Sequence, residues 1–195
     1  MTPVERKVIL DVGGGTGEWS RWYRLHGGYD VRVIDPLTWP FATAEAVAFR
    51  RNDWRVHGLL LAPPCTEFAG SGARWWEGKD PALLERAVET VRAFLRLVET
   101  MSPVWWALEN PVGRLAKEVP ELGRHRYTWQ PWHFGDAETK LTCMWGEHVQ
   151  PMRTVLEKPA DVRARVHLEA PGPWRQVRRS ATPQGFARAF FEANP

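Results

Sequence analysis

The chain has 195 residues, with 26 Lys and Arg against 23 Asp and Glu, and two cysteines. That length suits one domain with a substantial core. The near balance of charge makes whole-chain electrostatics a poor argument for nucleic acid, and two cysteines build no disulfide framework. No charged-then-apolar leader or long apolar run marks secretion or a membrane span, so the expected setting is cytoplasmic and reducing, with Cys65 available as a thiol.

In chain order, the apolar Val8-Ile9-Leu10 reads as a strand, followed by the Gly-rich turn Asp11-Val12-Gly13-Gly14-Gly15-Thr16-Gly17 and a helix through Trp19, Trp22, Tyr23 and Leu25. Glycines at such a turn let the backbone bend sharply and let a ligand approach the helix N-terminus. A Gly-rich turn alone is also compatible with a tight turn and nothing more. A second strand, Val31-Arg32-Val33-Ile34, ends on Asp35. A carboxylate there can bind the two hydroxyls of a ribose, as in nucleotide-binding α/β units; a solvated loop aspartate is the alternative.

Leu59-Leu60-Leu61 has the continuous apolar character of a strand covered on both faces, and it runs into Ala62-Pro63-Pro64-Cys65. A Gly-rich stretch follows, in which Trp75 and Trp76 are flanked by Arg74 and Lys79. Those indoles can stack on an exposed base or simply pack under a loop. Asp80 and Pro81 form an N-cap and first helical residue, and Leu84, Ala87, Val88, Val91, Leu95 and Val98 recur at helical spacing. The next strand, Val104-Trp105-Trp106-Ala107-Leu108, delivers Glu109-Asn110-Pro111. Tyr127 to Gln130 and Leu141 to Trp145 read as two more strands, and Pro183 to Ala193 as a closing helix with Phe186, Phe190 and Phe191 inward.

Alternating strands and helices predict an α/β fold, a mostly parallel Rossmann-like sheet with helices on both faces. In parallel strands joined by right-handed crossovers, Cys65 and Glu109 emerge at the same sheet edge as the Gly-rich turn, where open α/β sheets bind ligands. A buried cysteine is most often a small hydrophobe and Asn-Pro is a common turn signal. Together, a thiolate and a carboxyl facing one pocket suit nucleophilic attack on an unactivated pyrimidine ring assisted by a proton donor. His133, Cys143 and His148 match no zinc-ligand spacing, so core or surface roles are expected and no metal. From Gln150 to Ser180, seven basic residues (Arg153, Lys158, Arg163, Arg165, Arg175, Arg178, Arg179) face three acidic ones (Glu157, Asp161, Glu169), either a phosphate-contacting segment or a solvated basic face.

With these strings in view, the chain resembles the S-adenosylmethionine-dependent cytosine C5-methyltransferases. The resemblance runs from Asp11 to Gly146 and is most specific at Pro63-Pro64-Cys65 followed by Phe68, Gly70 and Gly72. It implies a class I methyltransferase sheet, Cys65 as nucleophile, and Glu109 with Asn110 as the motif whose carboxyl binds the cytosine edge. It also implies Asp11, Gly13, Gly15 and Gly17 in the S-adenosyl-L-methionine loop, Asp35 on the ribose and Asp53 beside the adenine. Amino-methyltransferases carry an Asn/Asp/Ser-Pro-Pro-aromatic string at a similar place; here Ala62 accepts no hydrogen bond and Cys65 replaces the aromatic residue.

Two departures stand out. The family's Gln-x-Arg-x-Arg string is replaced by Glu138-Thr139-Lys140-Leu141-Thr142, in which Lys140 is the candidate to retain a charged contact, and Arg179-Ser180-Ala181-Thr182-Pro183 occupies the place of its Gly-Asn-Ser motif. Only the short basic segment 147–178 lies where family members insert a target recognition domain, so a single methyltransferase domain spanning 1–195 is expected, with weak sequence selectivity unless a partner supplies it. The implied partner is nucleic acid, by family precedent DNA with an accessible or flipped cytosine. RNA, a free cytosine nucleotide, or a non-catalytic cofactor-binding or nucleic-acid-binding subunit remain the alternatives.

Overall fold

Among the described residues six strands make one sheet: β1 (Lys7–Val12), β2 (Tyr29–Ile34), β3 (Val56–Leu61), β4 (Trp105–Pro111), β5 (Tyr127–Trp129) and β6 (Thr142–Trp145). The computed structural model describes residues 6–35, 55–164, 172–173 and 175–195. Asp53, Arg165 and Glu169, and with Asp53 the expected adenine contact, lie outside these described residues. The strand order is β2-β1-β3-β4-β6-β5. β2, β1, β3 and β4 are mutually parallel, and β6 is antiparallel to both β4 and β5. The mostly parallel sheet of the sequence reading is therefore present, with one reversed strand that hydrophobic runs alone do not reveal.

Because side chains alternate across a strand, the sheet has two apolar faces. Val8, Leu10, Val12, Leu59, Leu61 and Leu108 point to one face and are covered by α2 (Pro81–Met101) and by Leu115 at the start of the short α3 (Leu115–Glu118). Ile9, Leu60, Trp105, Ala107 and Met144 point to the other, where α1 (Arg21–Leu25) and α5 (Gln184–Ala193) lie. Another helix, α4 (Arg175–Ser180), immediately precedes α5. Helices on both faces of a mostly parallel sheet define the α/β, Rossmann-like class.

Local chemistry accounts for the elements. Asp80 Oδ1 accepts from the Ala82 N–H at 3.0 Å, Pro81 opens α2, and Ser102 ends it with φ 44°. Its buried stripe is Ala87, Val88, Val91, Phe94 and Leu97; Leu84, Leu95 and Val98 flank it and are only partly buried. α1 is shorter than its periodicity suggests, because Trp19 is not helical: it is buried before the helix, with Phe190 edge-on at 5.5 Å. In α5, Phe186 and Phe190 are fully buried, whereas Phe191 is half-buried at the rim, and Phe186 stacks on Trp129 at 3.6 Å and 7°. The Trp105 indole lies over Gly58 of the neighbouring strand, where any Cβ would collide with the ring. Among the described residues no helix is long and apolar enough to cross a membrane.

Candidate active site

The C-terminal ends of β1, β3 and β4 share one edge of the sheet, and the chain beyond each end is stitched to its neighbour. The Ala62 N–H donates to the Val12 carbonyl at 2.9 Å, and the Asn110 side-chain amide donates to the Pro63 carbonyl at 3.2 Å. Glu109 and Asn110 lie inside β4 rather than after it, which fixes their direction by the pleat. Both are buried. Reversal of β6 places its start, not its end, at this edge: Thr142 pairs with Pro111, and the Val112 N–H donates to the Leu141 carbonyl at 3.1 Å. Lys140 is thereby carried to the Cys65 edge. Its backbone N–H donates to Gln130 Oε1 at 2.8 Å.

The Gly-rich turn occupies the same edge. Gly13, Gly15 and Gly17 have φ of 74°, 56° and 72°, the left-handed region that favours glycine. A Cβ on Gly13 would strike the Ala62 carbonyl, so the turn rests directly on the chain leading to Cys65. A Cβ on Gly15 would instead stand in open space, with Ser180 Oγ nearest at 4.0 Å. The Gly15 N–H donates to Asp35 Oδ2 at 2.9 Å, which brings the β2 carboxylate onto the turn. Asp11 is fully buried; Ser20 Oγ donates to its Oδ2 at 2.6 Å while Oδ1 has no hydrogen-bond partner among the described residues. Burial pushes its carboxyl up to about 6, against the opposing Ser20 hydrogen bonds and Arg24.

Around Cys65 the electrostatics are mixed. Burial pushes its thiol pKa up, Lys140 and Arg179 pull it down, and Glu109 pushes it up. Burial likewise raises the Glu109 carboxyl, with Lys140 opposing, and Glu109 Oε2 has no hydrogen-bond partner among the described residues. A buried carboxyl of that kind is held toward its protonated form and can donate a proton to a ligand. The loop after Cys65 is well tied down. The Phe68 and Ala69 N–H groups donate to the Cys65 carbonyl, Lys79 bridges to Glu67 at 3.0 Å, and Arg114 Nε donates to the Glu67 carbonyl at 2.8 Å. The two indoles of the loop have separate fates. Trp76 is half-buried with the Arg114 guanidinium 4.3 Å from its ring centroid, while Trp75 is 62% exposed with Arg74 over it at 5.0 Å.

The structure thus brings Cys65, Glu109, Asn110 and Lys140 together, and Asp11, Gly13, Gly15, Gly17 and Asp35 beside them. Arg179, absent from the expected site, joins this group from the end of α4; its signal in the sequence is only its place in the string before the closing helix. His133 and His148 are engaged elsewhere, His148 between the Tyr127 hydroxyl at 2.9 Å and the Trp106 carbonyl at 3.1 Å.

No protein-family model matches the chain, and no curated protein sequence matches it. Among solved structures, it is similar to a prophage-encoded E. coli protein described as a DNA modification methyltransferase, at 16% identity and a TM-score of 0.49, over 72% of this chain and 46% of that one. It is similar to the Entamoeba histolytica methyltransferase EhMeth at 12% identity and a TM-score of 0.43, over 78% and 58% of the two chains. For the S. pombe Dnmt2 methyltransferase the values are 14% and 0.35, over 85% and 54%. The chain spans about half the length of these three structures.

Proposed function

We propose that the chain transfers a methyl group from S-adenosylmethionine to C5 of a cytosine, in DNA, through a covalent adduct of Cys65. The observation that carries this reading is the meeting, at one sheet edge, of a cysteine thiol, a buried carboxyl with an unpartnered oxygen and a lysine, directly against a Gly-rich turn. The residues present fit the cofactor: the open space at Gly15, the positive-φ turn and the Asp35 carboxylate form a cradle for a nucleoside and its ribose hydroxyls. When bound, S-adenosylmethionine supplies the electrophilic methyl group.

Cytosine C5 is too weak a nucleophile to take that methyl unaided. Cys65 loses its proton to solvent, and Lys140 and Arg179 favour the resulting thiolate. The thiolate forms a C–S bond at C6, and the displaced ring electrons are captured at N3 by the proton of Glu109, leaving C5 electron-rich. After C5 is methylated its proton is lost to solvent, the C6–S bond breaks, Cys65 departs as thiolate and Glu109 recovers the N3 proton. Asn110 holds the Pro63 carbonyl and so the approach of Cys65. We assign the whole described chain to one such catalytic domain, with the 147–178 segment too short to read a long target sequence.

The test is covalent trapping. An oligonucleotide carrying 5-fluorocytosine should leave a protein–DNA adduct with the wild type, because fluorine cannot depart as a cation, and none with Cys65→Ser. Parallel incubation of labelled cofactor with duplex DNA, single-stranded DNA, RNA and dCTP ranks the substrates. Methylation without trapping would overturn the covalent mechanism, and label transfer only to RNA or dCTP would move the substrate class.

A further inference from the structure

Arg179 is half-buried at the end of α4, and its Nε is withdrawn from solvent with no hydrogen-bond partner among the described residues. A guanidinium N–H in that condition stands out, since buried donors are almost always satisfied. Its neighbour Ser180 faces Gly15, and Gly13 of the same turn rests on the Ala62 carbonyl, so the end of α4 stands over the seam between the Gly-rich turn and the Cys65 loop. Lys140 reaches the same edge from the start of β6, and both cations act on the Cys65 sulfur. Of the carboxylates on this edge, Asp11 accepts from Ser20 Oγ, Asp35 accepts from the Gly15 N–H, and burial raises the Glu109 carboxyl.

Two cations from separate elements converge on the Cys65 thiol, and one of them carries a guanidinium N–H with no acceptor among the described residues, a combination that suits an oxyanion. A guanidinium offers forked N–H donors that match two oxygens of a phosphate, which a lysine does not. We propose that Arg179, assisted by Lys140, anchors the phosphodiester adjoining the target nucleotide. The proposal rests on the nucleotide substrate of the preceding subsection and assigns the group that holds it. α4 also carries Arg175 and Arg178, so the anchor lies on a basic helix that can follow a phosphate backbone. A cofactor carboxylate is the other oxyanion that a guanidinium could take; the action on Cys65 that Arg179 shares with Lys140 favours the substrate.

A fluorescent single-stranded oligodeoxynucleotide containing one cytosine, titrated onto the full chain with S-adenosylhomocysteine at several salt concentrations, separates the possibilities. Arg179→Gln should reduce the slope of log K against log salt by about 0.7, the value of one single-strand phosphate contact. It should raise KM for the oligonucleotide more than it lowers kcat and leave S-adenosylhomocysteine affinity unchanged. Arg179→Lys should restore the slope, and equal melting temperatures exclude a folding effect. An unchanged slope with lost S-adenosylhomocysteine affinity would place Arg179 on the cofactor and overturn the proposal. So would an unchanged slope with unchanged cofactor binding. In either case, a wild type that still traps on 5-fluorocytosine keeps the C5 chemistry standing, whereas a wild type that neither binds nor traps overturns both.

Discussion

Replacing Asp11 by Asn should make the protein more stable at neutral pH, and the gain should vanish in acid. The Asp11 side chain is fully buried and its carboxyl is pushed up to about 6 from an ordinary 3.8, with burial as the leading cause. The unfolded chain ionises Asp11 near the ordinary value, the native chain only near 6, so between these points the native state holds the extra proton. Stability from this group is therefore full below the lower value, falls as pH rises through the window, and levels off above the upper one. The gap of about two pH units corresponds to about 3 kcal/mol at 1.36 kcal/mol per unit. Asn retains an oxygen to accept from Ser20 Oγ, now at 2.6 Å from the carboxylate, and has no charge to desolvate. Urea unfolding of both proteins across this range isolates the term, because every other titrating group is common to them. The variant's advantage should grow with pH toward about 3 kcal/mol, or about 6–12 °C in Tm for a domain of this size. An advantage equal at both ends of the range would refute the claim that ionisation of a desolvated Asp11 costs stability.

Asn110→Ala removes the buried amide that donates to the Pro63 carbonyl and should cost about 1–3 kcal/mol of stability, since the carbonyl is left unsatisfied. Turnover should fall further than this variant's cofactor affinity, as measured by single-turnover rates alongside calorimetry. Lys140→Met removes a cation that lowers the Cys65 thiol pKa, so alkylation of Cys65 by iodoacetamide at neutral pH should slow, with the pH midpoint of the reaction moving upward. Cys143, buried and pushed up to about 11, contributes little to the alkylation signal there.

The strand ends were legible in the sequence because continuous apolar runs stop abruptly at chemically distinctive strings: Leu59-Leu60-Leu61 before Pro63-Pro64-Cys65, and Ala107-Leu108 before Glu109. The α2 boundary was legible for a similarly local reason, the Asp80-Pro81 cap. Relations that depend on approach in space were not. Four residues from Thr142 to Trp145 look the same whether they run up or down the sheet, so periodicity carried no sign of the reversal in β6. Arg179 belongs to a charged string before a helix, and only the placement of the end of α4 beside the Gly15 turn brings it near Cys65. Trp19 sits at helical spacing from Trp22 and Tyr23, yet burial against Phe186 and Phe190 holds it outside α1. Tertiary packing overrides local propensity at that position.

The reversed strand also governs where the molecule can grow. β6 leaves the sheet at the end opposite Cys65, where the Trp106 N–H donates to the Glu147 carbonyl, and the chain then travels back along the outer flank. Thr154 and Val155 donate to the His133 carbonyl, and Thr139 to that of Arg163, so the return is pinned midway and again near the top. Between those pins Leu156 stands 80% exposed. Extra residues introduced beside Leu156 would bulge sideways into solvent, with both roots fixed, and would add mass to the flank without displacing Lys140 or the Glu109 pleat. The same insertion at Gly146 would have to be absorbed against Trp106, whose carbonyl already occupies the space a Cβ there would need. Expansion of this scaffold is thus steered to the exposed stretch beside Leu156, while the sheet beneath keeps its register.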